Sequence, residues 1–131
     1  MHTFAINRLS HRFKTSYFDA QRAHAGDGVV LTSRVVQNSL GCNFVDLVAL
    51  LPESSIGIHR HGTQDAEIYI IISGKGEITL AEQVFEVDQD FVLINPPGGI
   101  HALRNIGQTL LKLVVLDIPT YPLTKETIDE Q

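Results

Sequence analysis

The chain has 131 residues, of which 44% are hydrophobic, and its formal net charge is −5. This length predicts one domain that can bury a core of its own, and the only cysteine, Cys42, cannot form a disulfide within the chain. The ten basic residues are scattered, which argues against nucleic acid or an anionic membrane as a partner. No apolar run approaches the ~20 residues of a membrane helix, and the N-terminus lacks the apolar stretch of a signal peptide. We therefore expect a cytoplasmic protein.

The first 28 residues are mostly polar and end in a turn signal, Gly26-Asp27-Gly28. We predict an N-terminal arm or edge strand over residues 1–28. A barrel domain should follow over residues 29–118, and a C-terminal tail over residues 119–131.

From Val29 onward, short segments rich in branched and aromatic residues alternate with glycine and proline. Many short strands at such close spacing, without a long amphipathic helix, predict an all-β sandwich or barrel. The predicted strands span residues 29–37, 43–51, 56–61, 66–73, 76–80, 84–87, 91–94, 100–105 and 108–116.

The predicted strand 66–73 is mostly apolar on both faces, because Glu67, Tyr69 and Ile71 alternate with three further isoleucines. Such a pattern indicates a central strand that is covered on both sides. A carboxylate on this strand is costly to bury unless a partner compensates its charge. Glu67 is therefore a candidate functional residue.

His59 and His61 are two residues apart, so an extended strand points both imidazoles to the same face. Paired imidazoles are natural ligands for a first-row divalent metal, and a metal would also explain a buried Glu67. We expect a hairpin to place Glu67 beside the two histidines. His101, which follows a Pro-Pro-Gly-Gly turn, would then reach the site from across the sheet. Three histidines and one glutamate at strand starts predict a metal site.

Two segments resemble the sequence motifs of cupins. The first, Gly57–Gly74, carries the His-x-His pair, then a glutamate, then a glycine seven residues after the glutamate. The second, Asp90–Asn105, carries the pattern Pro-x-Gly-x-x-His-x-x-x-Asn, and 15 residues separate the two segments. With its flanking strands, the resemblance covers about residues 29–118 and is to small single-domain bacterial cupins of the RmlC-like superfamily.

This resemblance implies an all-β double-stranded β-helix, or jelly-roll barrel, with a metal near one open end. It implies that one divalent transition metal is held by His59, His61, Glu67 and His101. Manganese, iron, nickel, cobalt, copper and zinc all suit such a ligand set, so ligand type does not choose among them. Open positions on the ion would take a small-molecule ligand or O₂.

Three function classes stay open at this point. The first is a metal-dependent enzyme that acts on a small molecule, with dioxygenase-like chemistry. The second is a metal-dependent isomerase or lyase of a sugar or a small carboxylate. The third is a non-catalytic small-molecule binding or sensor protein, because the fold alone does not decide function.

Three further residues are candidates for catalysis, and each has a structural alternative. Tyr69 shares the strand face of Glu67 and either acts as an acid in the pocket or fills the barrel. His24 would cap the pocket only if the N-terminal arm folds over the barrel mouth. Asp46 interrupts an apolar strand and either orients a ligand histidine or sits in water on an edge strand.

The sequence also predicts a homodimer. The apolar content exceeds what one small barrel needs, and an open barrel leaves edge strands that must be covered. Residues 1–27 offer an arm that could add a strand to a partner's sheet, next to residues 29–37. A closed two-fold arrangement would cover both edges with one interface.

Overall fold

The computed structural model describes residues 8–14, 18–21 and 23–120. These residues form ten strands and contain no helix, which confirms the all-β prediction. In chain order the strands are β1 (Asp19–Gln21), β2 (Val30–Ser39), β3 (Cys42–Leu50), β4 (Ser55–Arg60), β5 (Asp65–Ser73), β6 (Gly76–Leu80), β7 (Gln83–Val87), β8 (Val92–Asn95), β9 (Ile100–Asn105) and β10 (Leu111–Pro119). Most of the predicted tail, residues 121–131, and the first seven residues of the predicted arm lie outside the described residues.

The strands form two antiparallel sheets. A six-stranded sheet has the order β1-β2-β3-β10-β5-β8, and a four-stranded sheet has the order β4-β9-β6-β7. The chain changes sheet at most of its turns, so neighbours in sequence often lie in opposite layers. No helix long and apolar enough to cross a membrane occurs in the described part of the chain.

The hydrophobic core lies between the two sheets. It takes side chains from both layers, including the fully buried Leu50 and Leu113 of the larger sheet and Ile78 and Leu103 of the smaller one. Each such side chain gains roughly 1.5–3 kcal/mol from leaving water. Strand alternation produces this core, because every second residue of each strand points inward.

The inner face of β10 changes from apolar to polar along the strand. Its inward positions are Leu111, Leu113, Val115 and then Asp117, all of them buried. The paired strand β5 runs the other way, so that Asp117 lies opposite Glu67 where β5 begins. The polar end of the sandwich is therefore the end at which β5 starts and β10 finishes.

Eight of the nine predicted strands match observed strands within two residues, but the last one is displaced. It was predicted over 108–116, whereas β10 spans Leu111–Pro119. The Asn105 side chain accepts a hydrogen bond from the Gly107 backbone N–H and donates to the carbonyls of Thr109 and Leu50. These bonds hold residues 105–109 as a loop, so the strand begins later than its hydropathy suggests.

Candidate metal centre

Four side chains that could hold a metal ion converge at the polar end of the sandwich. They are His59 on β4, His61 just after it, Glu67 on β5 and His101 on β9. Each offers one ring nitrogen or carboxylate oxygen, and these atoms all lie within 4.8 Å of one another. Glu67 and His101 are buried, and the other two are half-buried. The structure therefore brings together all four residues that the sequence singled out as metal ligands.

The route by which these residues meet differs from the prediction. His101 lies directly opposite His59 in the pairing of β4 with β9, so these two histidines share a sheet. Glu67 belongs to the other sheet, because β4 and β5 do not form a hairpin. The expected hairpin is wrong, and Glu67 rather than His101 reaches across to the histidine pair. The site is thus built between the two layers.

Polar contacts orient the rings of the two half-buried histidines. His59 Nδ1 lies 2.8 Å from the Gly57 carbonyl oxygen, which can only accept, so Nδ1 donates and Nε2 keeps a lone pair. His61 has a carboxylate oxygen beside each ring nitrogen: Asp65 Oδ2 lies 3.1 Å from Nδ1, and Glu67 Oε1 lies 3.0 Å from Nε2. The two Nε2 atoms are only 3.1 Å apart. Two potential metal-ligand atoms therefore lie side by side.

A bound cation fits this donor set. Protonation of His59 is disfavoured, because burial lowers its pKa to about 4 and the neighbouring His101 adds to that decrease. Glu67 Oε1 also lies 3.0 Å from His61 Nε2 and 3.2 Å from His101 Nε2. Three imidazoles and one carboxylate with ligand atoms within 4.8 Å of one another suit a divalent transition metal.

Tyr69 lies beside this cluster and is fully enclosed. Its hydroxyl is 2.9 Å from His101 Nε2. Burial, followed by the negative charge of Glu67, raises the pKa of Tyr69 well above its ordinary 10.0, so the phenol keeps its proton. Tyr69 therefore presents a proton donor at the edge of the candidate metal centre, and its ring also packs in the core.

A pair of carboxylates behind His61 was not predicted from the sequence. Asp65 accepts from His61 Nδ1, and Asp117 Oδ2 lies 4.0 Å from the same nitrogen. Burial raises the pKa of Asp117 to about 6, with Asp65 and Glu67 adding to the rise against a hydrogen bond from Asn43. Burial also raises the pKa of Asp65, but hydrogen bonds with Asp117 and His61 outweigh this effect, so the pKa of Asp65 is lowered. A protonated Asp117 can thus donate to Asp65, which in turn orients the His61 ring.

We expect the substitution Asp117→Asn to stabilise the metal-free protein more at high pH than at low pH. The folded-state pKa of about 6 exceeds the ordinary value of 3.8, so the folded chain binds more protons than the unfolded chain between these values. The stability that Asp117 contributes is therefore full at low pH and is lost as the pH rises through about 6. Asparagine mimics the protonated carboxyl at every pH. The free energy of unfolding of the variant, relative to that of the wild type, should therefore rise by about 1 kcal/mol between about pH 5 and about pH 8.

Urea denaturation in the presence of a chelator measures this difference. Asp88→Asn is the matched control, because Asp88 is an exposed turn residue. A stability difference between Asp117→Asn and the wild type that stays constant across this pH range would contradict the expectation.

A cavity of about 170 Å³ opens beside the candidate ligands. This volume is about that of six water molecules, at the ~30 Å³ that each takes in the liquid. The residues that line it come from several strands and from the loop before β2: Ala23, His24, Val30, Thr32, Arg34, Phe44, Asp46, Val48, Ile56, His59, Glu67, Tyr69 and Val115. The cavity is therefore small, and seven of its thirteen lining residues are polar or charged.

Asp46 lies in the cavity wall, and neither of its two predicted roles describes it. It is 4% exposed on β3, which lies between β2 and β10, so the prediction of a solvated edge position is wrong. It does not orient a ligand histidine either, because both carboxylate oxygens accept from Arg34, at 2.9 and 3.1 Å. These hydrogen bonds from Arg34 to Asp46 raise the pKa of Arg34 above its ordinary value. The pair balances a buried charge within the cavity wall.

His24 lies at the cavity because the loop of residues 23–28 packs against β4. Its ring stacks on the His59 ring, with centroids 3.5 Å apart and planes within 8° of parallel. The loop is held by a backbone bridge between Ala23 and Ile56 and by a hydrogen bond from the Gly57 N–H to the Ala23 carbonyl. Burial, opposed in part by Glu67, lowers the pKa of His24. The imidazole is therefore neutral at neutral pH.

Comparison with known proteins places the chain among cupins. The cupin domain family matches residues 46–118, a range that holds all four candidate ligands. An uncharacterized protein of Methanocaldococcus jannaschii is 38% identical over 64 residues, which are 49% of this chain and 50% of that protein. Mannose-1-phosphate guanylyltransferase RfbM of Salmonella typhimurium is 39% identical over 64 residues, which are 49% of this chain and 13% of that protein. The chain thus spans half or less of these two relatives.

Solved structures show the same fold at low sequence identity. A predicted oxalate decarboxylase from Thermotoga maritima superimposes with a TM-score of 0.80 at 22% identity, over 86% of this chain and 100% of that chain. The Cnp3 cupin domain of Schizosaccharomyces pombe gives a TM-score of 0.72 at 15% identity, over 86% and 74% of the two chains. A Klebsiella pneumoniae protein with a double-stranded β-helix domain gives 0.61 at 18% identity, over 91% and 90%. The predicted double-stranded β-helix fold is confirmed.

Proposed function

The chain belongs to the cupin domain family, and from this premise we propose that it is a metal-dependent enzyme acting on a small molecule, with dioxygenase-type chemistry as the first candidate. The observation that carries the proposal is the cluster of three imidazoles and one carboxylate within 4.8 Å of one another. Two members of this cluster, His59 and Glu67, also line the cavity. A molecule in the cavity would therefore meet the ion directly.

A divalent ion held by His59, His61, Glu67 and His101 would supply a Lewis acid with coordination positions left open to ligands from the cavity. The rest of the work falls to the protein. Asp65, 3.1 Å from His61 Nδ1, orients the His61 ring so that Nε2 faces Glu67. Val48, Ile56 and Val115 give part of the cavity an apolar surface against which a bound molecule can pack. Tyr69 keeps a proton on its hydroxyl and can donate it to an oxygen of the bound molecule.

A metal-dependent isomerase or lyase is the second candidate, and the position of His24 favours it. Such reactions move a proton at a carbon next to a carbonyl group and need a base beside the cavity. His24 lines the cavity, and its lowered pKa leaves a ring nitrogen free to accept that proton. Tyr69 lines the same cavity, and its protonated hydroxyl can donate a hydrogen bond to an oxygen of the bound molecule.

Metal analysis followed by activity assays tests these proposals. Protein purified without chelator should contain about one divalent metal per chain, measured by elemental analysis. Oxygen consumption on adding small carboxylates would support the dioxygenase. Exchange of a carbon-bound hydrogen with deuterium, without oxygen consumption, would support the isomerase or lyase. Ligand binding without either reaction would indicate a non-catalytic binding protein, and protein that takes up no metal would reject the metal site.

We also propose that the chain forms a homodimer through the outer face of β5 and β8. Val92 and Ile94 on β8 are 58% and 60% exposed, and Ile72 on β5 is 40% exposed beside them. None of these side chains is charged, so a second copy of the same apolar patch is its natural complement. β8 is also an edge of the six-stranded sheet among the described strands, which leaves backbone groups for a partner strand. The described part of the N-terminal arm pairs instead with β2 of its own chain.

Light scattering should give a mass of about 29 kDa for this dimer, twice the 14.5 kDa of one chain. Ile94→Lys should convert the protein to a stable monomer, because a charge cannot be buried in the interface without a partner. Val84→Lys is the matched control, since Val84 on β7 is equally exposed, at 60%, but lies in the other sheet. A wild-type mass of 14.5 kDa at micromolar concentration would contradict the proposal.

A further inference from the structure

On the β2–β3 side of the cavity, the positively charged side chain of Arg34 is held in one orientation. Arg34 on β2 lies opposite Asp46 on β3, and its Nε and Nη2 donate to the two carboxylate oxygens. Its guanidinium carbon lies 4.3 Å from the centre of the Phe44 ring. Arginine is otherwise one of the most flexible side chains, and these two contacts fix its plane before any ligand arrives.

One edge of this guanidinium remains available to a ligand. An arginine has two edges that can each bind a carboxylate through paired N–H donors. Asp46 takes the edge formed by Nε and Nη2. Among the described residues, no hydrogen bond uses Nη1, and Arg34 lines the cavity with 41% of its side chain exposed. An anionic group in the cavity would therefore find two fixed donors.

Sheet register places this edge across the cavity from the candidate metal ligands. Arg34, Asp46, Val115 and Tyr69 lie side by side on β2, β3, β10 and β5. Three strand spacings, about 14 Å, separate the backbone of β2 from the backbone of β5. Side chains on both walls shorten the gap, with Val115 as the floor. A ligand with two polar ends a few bonds apart can reach both sides.

We propose that Arg34 binds one end of the substrate, and that the substrate is a small dicarboxylate whose other end faces the metal ligands. The inference rests on the proposed function, because the metal site must accept that other end. Cavity size supports it, since about 170 Å³ suits a molecule with on the order of six non-hydrogen atoms. Arginine matches a carboxylate in both charge and planar geometry.

Binding of malonate to the Mn²⁺-loaded protein, measured by calorimetry, tests this inference, with acetate as the single-carboxylate comparison. The first variant combines Arg34→Met with Asp46→Asn, so that neither charge is left buried without its partner. It should bind malonate about tenfold more weakly or worse, and acetate as the wild type does. The second variant, Asp46→Asn alone, frees the Arg34 charge and should bind malonate about threefold more tightly or better.

The two variants are expected to move the malonate Kd in opposite directions, which a purely structural ion pair would not do. An unchanged malonate Kd in both, with Mn²⁺ still bound, overturns this inference and leaves the metal site standing. If wild-type protein takes up neither Mn²⁺ nor Fe²⁺, Ni²⁺, Co²⁺, Cu²⁺ or Zn²⁺, both the metal site and this inference are rejected. If the double variant does not fold, Asp46→Asn decides: unchanged or weaker malonate binding overturns the inference.

Discussion

Replacing His101 by alanine is expected to abolish stoichiometric metal binding, with affinity falling by more than about 100-fold. Changes to groups that merely orient a metal ligand cost about 10–100-fold, so loss of a ligand should cost more. His101 is 1% exposed, and its Nε2 faces both Glu67 and Tyr69. A water molecule therefore cannot readily take the place of this imidazole as a metal ligand. Elemental analysis and calorimetric titration with Mn²⁺ or Ni²⁺ measure the effect.

His11→Ala is the control for this experiment, because His11 is exposed and lies outside the cluster. It should keep the wild-type metal content. Circular dichroism should show that His101→Ala retains its β-structure, since most of the core lies elsewhere between the sheets. A folded His101→Ala protein that still binds one metal per chain would contradict the assignment of His101 as a ligand.

The substitution Gly57→Ala is expected to detach the loop of residues 23–28 from β4. A methyl group on Gly57 would overlap the His24 carbonyl oxygen and lie 2.9 Å from the Gly26 nitrogen. Both are backbone atoms, so a side-chain rotation cannot relieve the clash. We expect the free energy of unfolding to fall by about 1–3 kcal/mol, as is usual for an overpacked site. Once His24 leaves the His59 ring, its pKa should rise towards the ordinary 6.5.

Chemical denaturation measures the first effect, and an NMR titration of the histidine ring protons measures the second. Gly62→Ala is the matched control, because the nearest atom that its methyl group would meet is an Asp65 oxygen 3.8 Å away. It should change stability by less than about 0.5 kcal/mol. An unaltered His24 titration in Gly57→Ala would show that the loop does not depend on this close approach.

The sequence was sufficient to identify the four candidate ligands, and the reason is local. Side chains two apart on a strand share a face, which pairs His59 with His61 without any knowledge of the fold. Glu67 stood out because a carboxylate is out of place on an otherwise apolar strand. The positions of most strands could also be predicted, because the alternation of apolar and polar residues and the turn residues are patterns that span only a few positions.

Long-range pairing could not be read from the sequence. Whether Glu67 or His101 crosses between the layers depends on which strands share a sheet, and neither histidine spacing nor hydropathy encodes that. Asp65 and Asp117 are 52 positions apart, and both look like solvated acidic residues until the pairing of β5 with β10 brings them together. Asp46 required its cross-strand partner, Arg34, before its burial made sense.

Because the candidate ligands come from both sheets, an ion bound there would act as a clasp between the two layers. Removing it should loosen one end of the sandwich while the leucine-rich end keeps its contacts. Amide hydrogen exchange would then speed up selectively at Ile100 and His101 on one side and at Ala66 and Glu67 on the other. Leu50 and Leu113, deep in the core, should exchange at the same rate with or without the ion. The rigidity of the polar end of the sandwich would thus depend on the bound metal, and the rigidity of the leucine-rich end would depend on core packing.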